Sequence, residues 1–343
     1  MPIVGLDLGS HNIRAVEIGK TRKSNTIFNF DALDGLRLNL ESDSEGDISE
    51  YSKTLKEFFF EAGFSTSNVV VGLSETGVFM KIIEIPLITD KELGESIKYE
   101  AEQHIPIPMS QVNLSYQKIE ERCQTPGKMN VQIVAARKSV VERYVKIVKG
   151  AGLIIRAIEP ETLATGRLLG DTKESPTGTI ILDIGCMHTF IIVAFRGNVR
   201  FTRTVPIGGE LITKALQQGL GLDEIQAEEY KKVYGMNTEH FDGKVAKIIA
   251  PLIDNIIMET KKAGMFFTNS TPDANIKRVI VTGGTALMPG FILYVADKLN
   301  FEVEMASPLK SLIVSPKIKP KETSILDQAS IYSTAIGLAL KEI

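Results

Sequence analysis

Ile3 to Ile18 reads IVGLDLGSHNIRAVEI, and Thr179 to Phe195 reads TIILDIGCMHTFIIVAF. Each stretch is an apolar strand, an L-D-x-G turn and a second apolar strand. A hairpin this specific, repeated half a chain apart, points to two related α/β domains facing each other across a cleft. A chain of 343 residues is long for one core and natural for two.

The turn carries the chemistry. An apolar run brings each strand up through a buried sheet, and Asp7 or Asp183 emerges at its end, where α/β folds bind ligands. Such carboxylates suit the waters of a Mg²⁺ ion. Gly9 and Gly185, without Cβ, let the backbone turn tightly and bring N–H groups close to a phosphate. Around them stand Ser10, His11 and Asn12 in the first hairpin and Thr189 in the second, with Arg14 as a fixed positive charge. A lone D-x-G is also ordinary turn chemistry; the matched pair is what favours two grips on the β- and γ-phosphates of a nucleotide.

A third element, Lys277 to Gly290, reads KRVIVTGGTALMPG. A buried strand runs into Gly283, Gly284 and Thr285 and then into a helix starting near Pro289, a turn that admits a ribose or flat ring without Cβ clashes. Ile207-Gly208-Gly209-Glu-Leu opens another helix, whose free N–H groups and dipole make an anion site. Glu228 and Lys231, three apart on a helix, share a face and read on their own as a surface ion pair. Glu161 follows Pro160 at a helix start, where a carboxylate either positions the water attacking a γ-phosphate or simply supplies favourable N-terminal charge. Glu159 is the alternative for the same role.

Other classes fall away. Hydrophobic content of 43%, charged content of 24% and a net charge of −3 describe an ordinary globular chain with no field to attract nucleic acid. Two isolated cysteines, Cys123 and Cys186, fit a reducing compartment. The N-terminus enters a strand carrying Asp7, so no signal peptide is expected. No apolar run reaches the roughly 20 residues of a membrane span. The four histidines lack ligand-like spacing, and there is neither a G-x-x-x-x-G-K-[ST] loop nor a Ser-His-Asp elbow.

Along the chain, the polar run ESDSEGD at 41 to 47 reads as a solvated loop before a helix from Ile48 to Phe60, whose Tyr51, Leu55 and Phe58 form a core stripe. Strands follow at Asn68 to Leu73 and Val78 to Ile85. The segment 81 to 153 reads strand, helix, strand, strand, helix, with a capping box at Thr89 and Glu92 and a helix stop at His104-Ile-Pro-Ile-Pro108. Val245 to Phe267 is a long amphipathic segment, its Met and Phe residues assigned to the core. Ser315 to Lys321 is a Pro- and Lys-rich loop, and Ser324 to Glu342 the closing helix. Gly337 inside that helix costs roughly 1 kcal/mol in propensity, which a close helix crossing would explain.

The two hairpins, the VTGG turn and the small-residue helix Ala335-Ile-Gly-Leu-Ala339 resemble the nucleotide signature of the actin, sugar-kinase and chaperone ATPase superfamily. Within it, IEIPLITDKELGESIKYEAEQHIPIP at 83 to 108, VQIVAARKSVVERYV at 131 to 145 and AGLIIRAIEPETLA at 151 to 164 resemble the type IV pilus assembly protein PilM family, itself similar to FtsA. The resemblance implies an α/β, actin-like ATPase fold: two duplicated ribonuclease-H-like domains around a nucleotide cleft. Domain 1A would comprise 1–80, 154–177 and 324–343; the inserted, partner-binding subdomain 1C, 81–153; domain 2A, 178–222 and 270–323; and the small outer lobe 2B, 223–269.

It further implies ATP and Mg²⁺ as cofactors, the metal held by Asp7 and Asp183 through water, with Glu228 and Lys231 framing adenine and ribose. Glu161 would be the catalytic residue of, at most, a weak Mg-dependent ATPase. Arg14 departs from the superfamily's usual Lys, and His11 and His188 are large for their turns, so binding with low turnover is expected. Ile105 and Ile107 would line the groove accepting the cytoplasmic N-terminal peptide of a PilN-like inner-membrane protein, self-association and a pilus motor ATPase being further partners. Such a protein would be cytoplasmic, peripheral to the inner membrane, with no direct membrane insertion. An FtsA-type division filament is the alternative, although the chain stops at Leu338 to Ile343 without that family's amphipathic tail. A small-molecule kinase would need a further catalytic Asp.

Overall fold

In the computed structural model, which describes residues 1–21, 24–123, 125–271, 274–318, 325–326 and 328–341, the duplication is visible in strand order. The first sheet contains β1 (Ile3–Leu8), β2 (Asn12–Thr21), β3 (Ser24–Asp34), β4 (Asn68–Leu73) and β8 (Ile154–Pro160), ordered β3-β2-β1-β4-β8. The short β14 (Ile313–Val314) extends it beside β3. The second contains β9 (Thr177–Ile184), β10 (Thr189–Phe195), β11 (Asn198–Val205), β12 (Asn275–Thr282) and β13 (Glu302–Met305), ordered β11-β10-β9-β12-β13. Each is an antiparallel hairpin whose first strand then pairs in parallel with a later one. Both hairpins keep the carboxylate near the turn, Asp7 opposite Arg14 and Asp183 opposite Phe190. The central strands are buried along almost their whole length, as strands covered on both faces must be.

The inserted three-stranded sheet, β5-β7-β6, is formed by β5 (Val78–Pro86), β6 (Val112–Arg122) and β7 (Lys128–Arg137). Helix α2 (Asp90–Glu102) packs on it through Leu93, Ile97 and Ala101, and the Thr89–Glu92 capping box is formed. Helix α3 (Lys138–Gly150), read from sequence as part of this insertion, instead buries Tyr144, Ile147 and Val148 in the first unit's core beside Leu8, Ile13, Leu55 and Leu73. Helix α1 also departs from expectation. It spans Glu45–Ala62 because Ser44 caps it, accepting from the Asp47 N–H, so the second half of the ESDSEGD run is helix rather than loop.

Contacts divide the chain into two compact units: Met1–Gly19, Asn29–Glu161 and Leu338–Ile343 in one, Lys20–Phe28 and Thr162–Gly337 in the other. Most of α4 (Glu161–Leu169) and of α9 (Ser333–Ala339) therefore groups with the second unit, not with the first domain as read from sequence. The reason is local. Thr165 and Thr334 hydroxyls meet at 2.9 Å, the Arg167 guanidinium donates to the Gly337 carbonyl at 2.8 Å, and a Cβ on Gly337 would overlap the Ala164 backbone. The close crossing expected from Gly337 is present. The ends of the closing helix as first read, Ser324 and Glu342, lie outside the described residues.

The second unit also contains α5 (Gly209–Leu220), α6 (Glu224–Tyr234), α7 (Lys244–Ser270) and α8 (Phe291–Leu299), the last beginning after a 3₁₀ turn at Gly284–Leu287. Ile249, Ile253 and Ile256 of α7 join Ile180, Leu182, Ile191 and Val281 in one core. The segment 223–269 thus has no separate core of its own. Met265 is 64% exposed and Phe266 is exposed as well, against their assignment to the core; Phe267 alone of the three turns inward.

Candidate functional site: two acidic turns

In the first unit the Gly9 N–H donates to the Asn12 carbonyl at 2.8 Å, closing the hairpin, and the carbonyls of Ser10 and His11 accept from Leu38 and Leu36. Burial lifts the Asp7 carboxyl from the ordinary 3.8 to about 6, against the pull of the Arg14 guanidinium. That guanidinium is itself anchored, donating to Asp34 at 2.5 Å and to the Ile13 carbonyl at 3.1 Å. Arg14 therefore acts on the turn as a fixed field beside Asp7. A desolvated carboxylate with incomplete charge compensation fits a cation, which would favour its ionised form.

Glu161 belongs to the same neighbourhood. Gly72 of β4 makes room for it: a Cβ there would come within 3.0 Å of Glu161 Cγ. Glu159, in contrast, is buried with one carboxylate oxygen 2.7 Å from Lys341 Nζ, an engagement that favours Glu161 for contact with ligand. Two tyrosines complete the group. The Tyr51 hydroxyl donates to the Gly9 carbonyl at 3.0 Å, and Tyr144 takes the Ser74 backbone N–H. Burial pushes both phenols upward, and the charges of Asp7 and Glu161 push further in the same direction. Sequence reading placed Tyr51 in the core stripe; its ring is there, but its hydroxyl serves the turn.

In the second unit, three turns meet. The Gly185 carbonyl accepts from the Gly209 N–H and from the Thr285 hydroxyl, both at 3.0 Å, and the Cys186 carbonyl accepts from the Glu210 N–H at 2.9 Å. This corrects the expectation of free N–H groups at Gly208-Gly209: two of the first N–H groups of α5 are consumed in holding the acidic turn. Thr189 likewise spends its buried hydroxyl on the Ile207 carbonyl at 2.7 Å. Gly283 stands at φ 89°, and a Cβ there would lie 2.8 Å from Asp183 Oδ1. The Asp183 carboxylate also lies 3.4 Å from the Thr334 hydroxyl. Gly284 follows as the first residue of the 3₁₀ turn.

Lys231 is 7% exposed, so its pairing with Glu228 is not the surface bridge that spacing alone suggests. Its Nζ donates to Glu228 at 2.5 Å, to the Thr213 hydroxyl at 2.9 Å and to the Gly209 carbonyl at 3.1 Å. Burial raises the Glu228 carboxyl, and the hydrogen bond and charge of Lys231 more than offset it, leaving it below the ordinary range. The pair ties α6 to the start of α5.

On the insertion, Ile105 is 7% exposed and packs with Leu93, Ile97 and Val112, whereas Ile107 is only partly buried. Of the two isoleucines expected to line the groove, only Ile107 is partly exposed; Ile105 faces inward, because it closes the end of α2. Among the described residues no helix is long and apolar enough to cross a membrane.

This architecture has relatives. A solved PilM-PilN type IV pilus biogenesis complex superposes with a TM-score of 0.84 at 24% identity, over 98% of this chain and 97% of that one. MreB5 of Spiroplasma citri bound to AMPPNP matches at 0.53 and 15% identity, over 98% and 94% of the two chains. These likenesses establish the actin-like ATPase fold. The cell division protein FtsA of Neisseria meningitidis is 26% identical over 61% of this chain and 53% of its own, and that of Bacillus subtilis 29% identical over 51% and 44%. The chain spans about half the length of these relatives. A narrower match takes in the inserted sheet and both acidic turns, running over residues 5–343, and by it the chain belongs to the type IV pilus assembly protein PilM family.

Proposed function

We propose that this protein is an ATP-binding adapter of the type IV pilus inner-membrane assembly platform. The observation that carries the reading is the continuous family match over residues 5–343, which joins the acidic turns to the inserted sheet in one chain. Asp7 and Asp183 are assigned to Mg²⁺, and Gly9, Ser10, His11, Asn12, Arg14, Gly185 and Thr189 to the phosphate turns. Glu228, Lys231 and the Gly208-Gly209 and Gly283-Gly284-Thr285 turns form the adenosine end. Arg14, Thr189 and Lys231 act there through the backbone and charges they already hold, as their bonding supports.

The partner is carried over from the solved PilM-PilN complex. The insertion binds the cytoplasmic N-terminal segment of a PilN-like membrane protein with the partly exposed Ile107 as the apolar contact, which recruits the protein to the cytoplasmic face of the inner membrane. Hydrolysis, with Glu161 orienting water, is slow or regulatory.

A fluorescence titration of a labelled peptide from that segment, with Mg·ATP present, tests the adapter. Saturable binding that is lost in Ile107→Glu supports it. Absence of binding while Mg·ATP is demonstrably bound rejects the pilus partner, and turnover above about 1 s⁻¹, the low end for ordinary enzymes, rejects the adapter reading in favour of an enzyme.

A further inference from the structure

Helix α3 follows β7 with no linker: Arg137 ends the central strand of the inserted sheet and Lys138 begins the helix. The helix is then seated tightly in the first unit's core. A Cβ on Gly77 would come within 3.0 Å of Val140, and one on Gly150 would lie 2.6 Å from the Ser52 hydroxyl. Arg143 donates to the Glu41 carbonyl and lies 3.6 Å from Asp43. Between these anchors sits Tyr144, 2% exposed, hydrogen-bonded to the Ser74 backbone and within the field of Asp7 and Glu161. Tyr51, on the neighbouring α1, bonds the Gly9 carbonyl directly.

We propose that Tyr144, together with Tyr51, is the positioning element through which the inserted sheet and the Gly9 turn respond to one another. The proposal rests on the assignment of Mg·ATP to that turn. Packed interiors do not absorb small displacements, so a shift of β7 is delivered along α3 to the Tyr144 phenol. The phenol shares its core with Tyr51 and feels the charges of the two carboxylates assigned to metal and water, and Tyr51 fixes the Gly9 peptide between Asp7 and β2. Neither tyrosine needs to touch nucleotide. Their role is geometric: they set where Asp7 and Glu161 stand relative to the insertion.

Amide hydrogen exchange on the full chain, with and without saturating Mg·ATP, reads this coupling. Occupancy is verified separately by titration. In the parent, exchange in β7 and α2 should change by about fivefold or more, the lower end of ordinary allosteric coupling. In Tyr144→Phe and Tyr51→Phe, which keep the rings and hence the packing, that change should disappear at full occupancy. Tyr99→Phe, on α2 and 75% exposed, should keep it. A full response in both core variants, or none in the occupied parent, overturns the proposal while leaving the nucleotide assignment intact. Failure of the parent to bind Mg·ATP overturns both, and the titration identifies that case.

Discussion

Asp7→Asn should make the nucleotide-free protein more stable at neutral pH. The carboxyl is raised from 3.8 to about 6 by burial that outweighs Arg14. A shift of about two units corresponds to roughly 3 kcal/mol at 1.36 kcal/mol per unit. The sign follows from linkage: the folded state holds the proton more tightly, so this contribution to stability is fully present below pH 3.8 and is lost as pH rises through 6. Above pH 7 the ionised carboxylate costs the folded state the whole amount. Asparagine carries no such loss.

The assay is thermal unfolding of parent and variant in EDTA from pH 4 to 8. A cooperative unit of 150–250 residues shifts by about 2–4 °C per kcal/mol, so the gap in favour of Asp7→Asn should grow by roughly 5–10 °C between pH 4 and pH 7 and then level. Any fixed cost of the buried amide moves the whole curve without changing its slope. A gap independent of pH would falsify the claim that Asp7 is a strained carboxylate. On the proposed assignment of Asp7 to Mg²⁺, adding Mg·ATP should then reverse the order, because ligand stabilises by RT ln(1 + [L]/Kd) and the variant would bind it more weakly. Active sites commonly trade stability for function in this manner.

Ile105→Ala should unfold or loosen the insertion, with a loss of about 2–5 kcal/mol as for other buried isoleucines, whereas Ile107→Ala, at a partly exposed position, should cost clearly less; denaturant titration separates them. Gly337→Ala should cost at least about 1–3 kcal/mol despite its better helix propensity, because the methyl meets the Ala164 backbone; an unchanged or raised melting temperature would refute the close crossing. Lys231→Met should lose adenosine-dependent affinity and also loosen α5, seen as faster amide exchange at Gly209 and Glu210, since its ammonium holds the Gly209 carbonyl.

Sequence made the strands and turns legible because their signals are local. The L-D-x-G hairpins, β4, the Thr89 cap and the Gly337 crossing each rest on a few neighbouring residues. Side-chain destinations were not legible. An i,i+3 Glu-Lys pair reads the same whether exposed or enclosed, and only the fold shows Lys231 surrounded by three acceptors. Ser44 was hidden inside an acidic run whose charge suggested loop, although the same acids favour a helix N-terminus. Tyr51 looked like core because it is core. Its hydroxyl acquires a task only when Gly9, from 42 residues earlier, arrives beside it.

The two acidic turns have diverged in how they are held. In the second unit the turn is pinned by backbone: Gly185 and Cys186 carbonyls are bound by α5 N–H groups and by Thr285, and Asp183 rests against a glycine. Moving that turn would break several hydrogen bonds together, each of which would leave a buried group unsatisfied. In the first unit the turn is also hydrogen-bonded, through Gly9 to Asn12, through the Leu36 and Leu38 N–H groups and through the Tyr51 hydroxyl, but its carboxylate is balanced between burial and Arg14. A carboxylate balanced between opposing effects responds to small displacements even where the backbone around it is hydrogen-bonded. Control by a partner on the insertion should therefore enter through Asp7, with the Asp183 turn as the fixed reference. Mg·ATP should accordingly alter amide exchange at residues 9–12 when the partner peptide is added, and leave 185–188 unchanged; the opposite pattern would assign the adjustable role to the second turn.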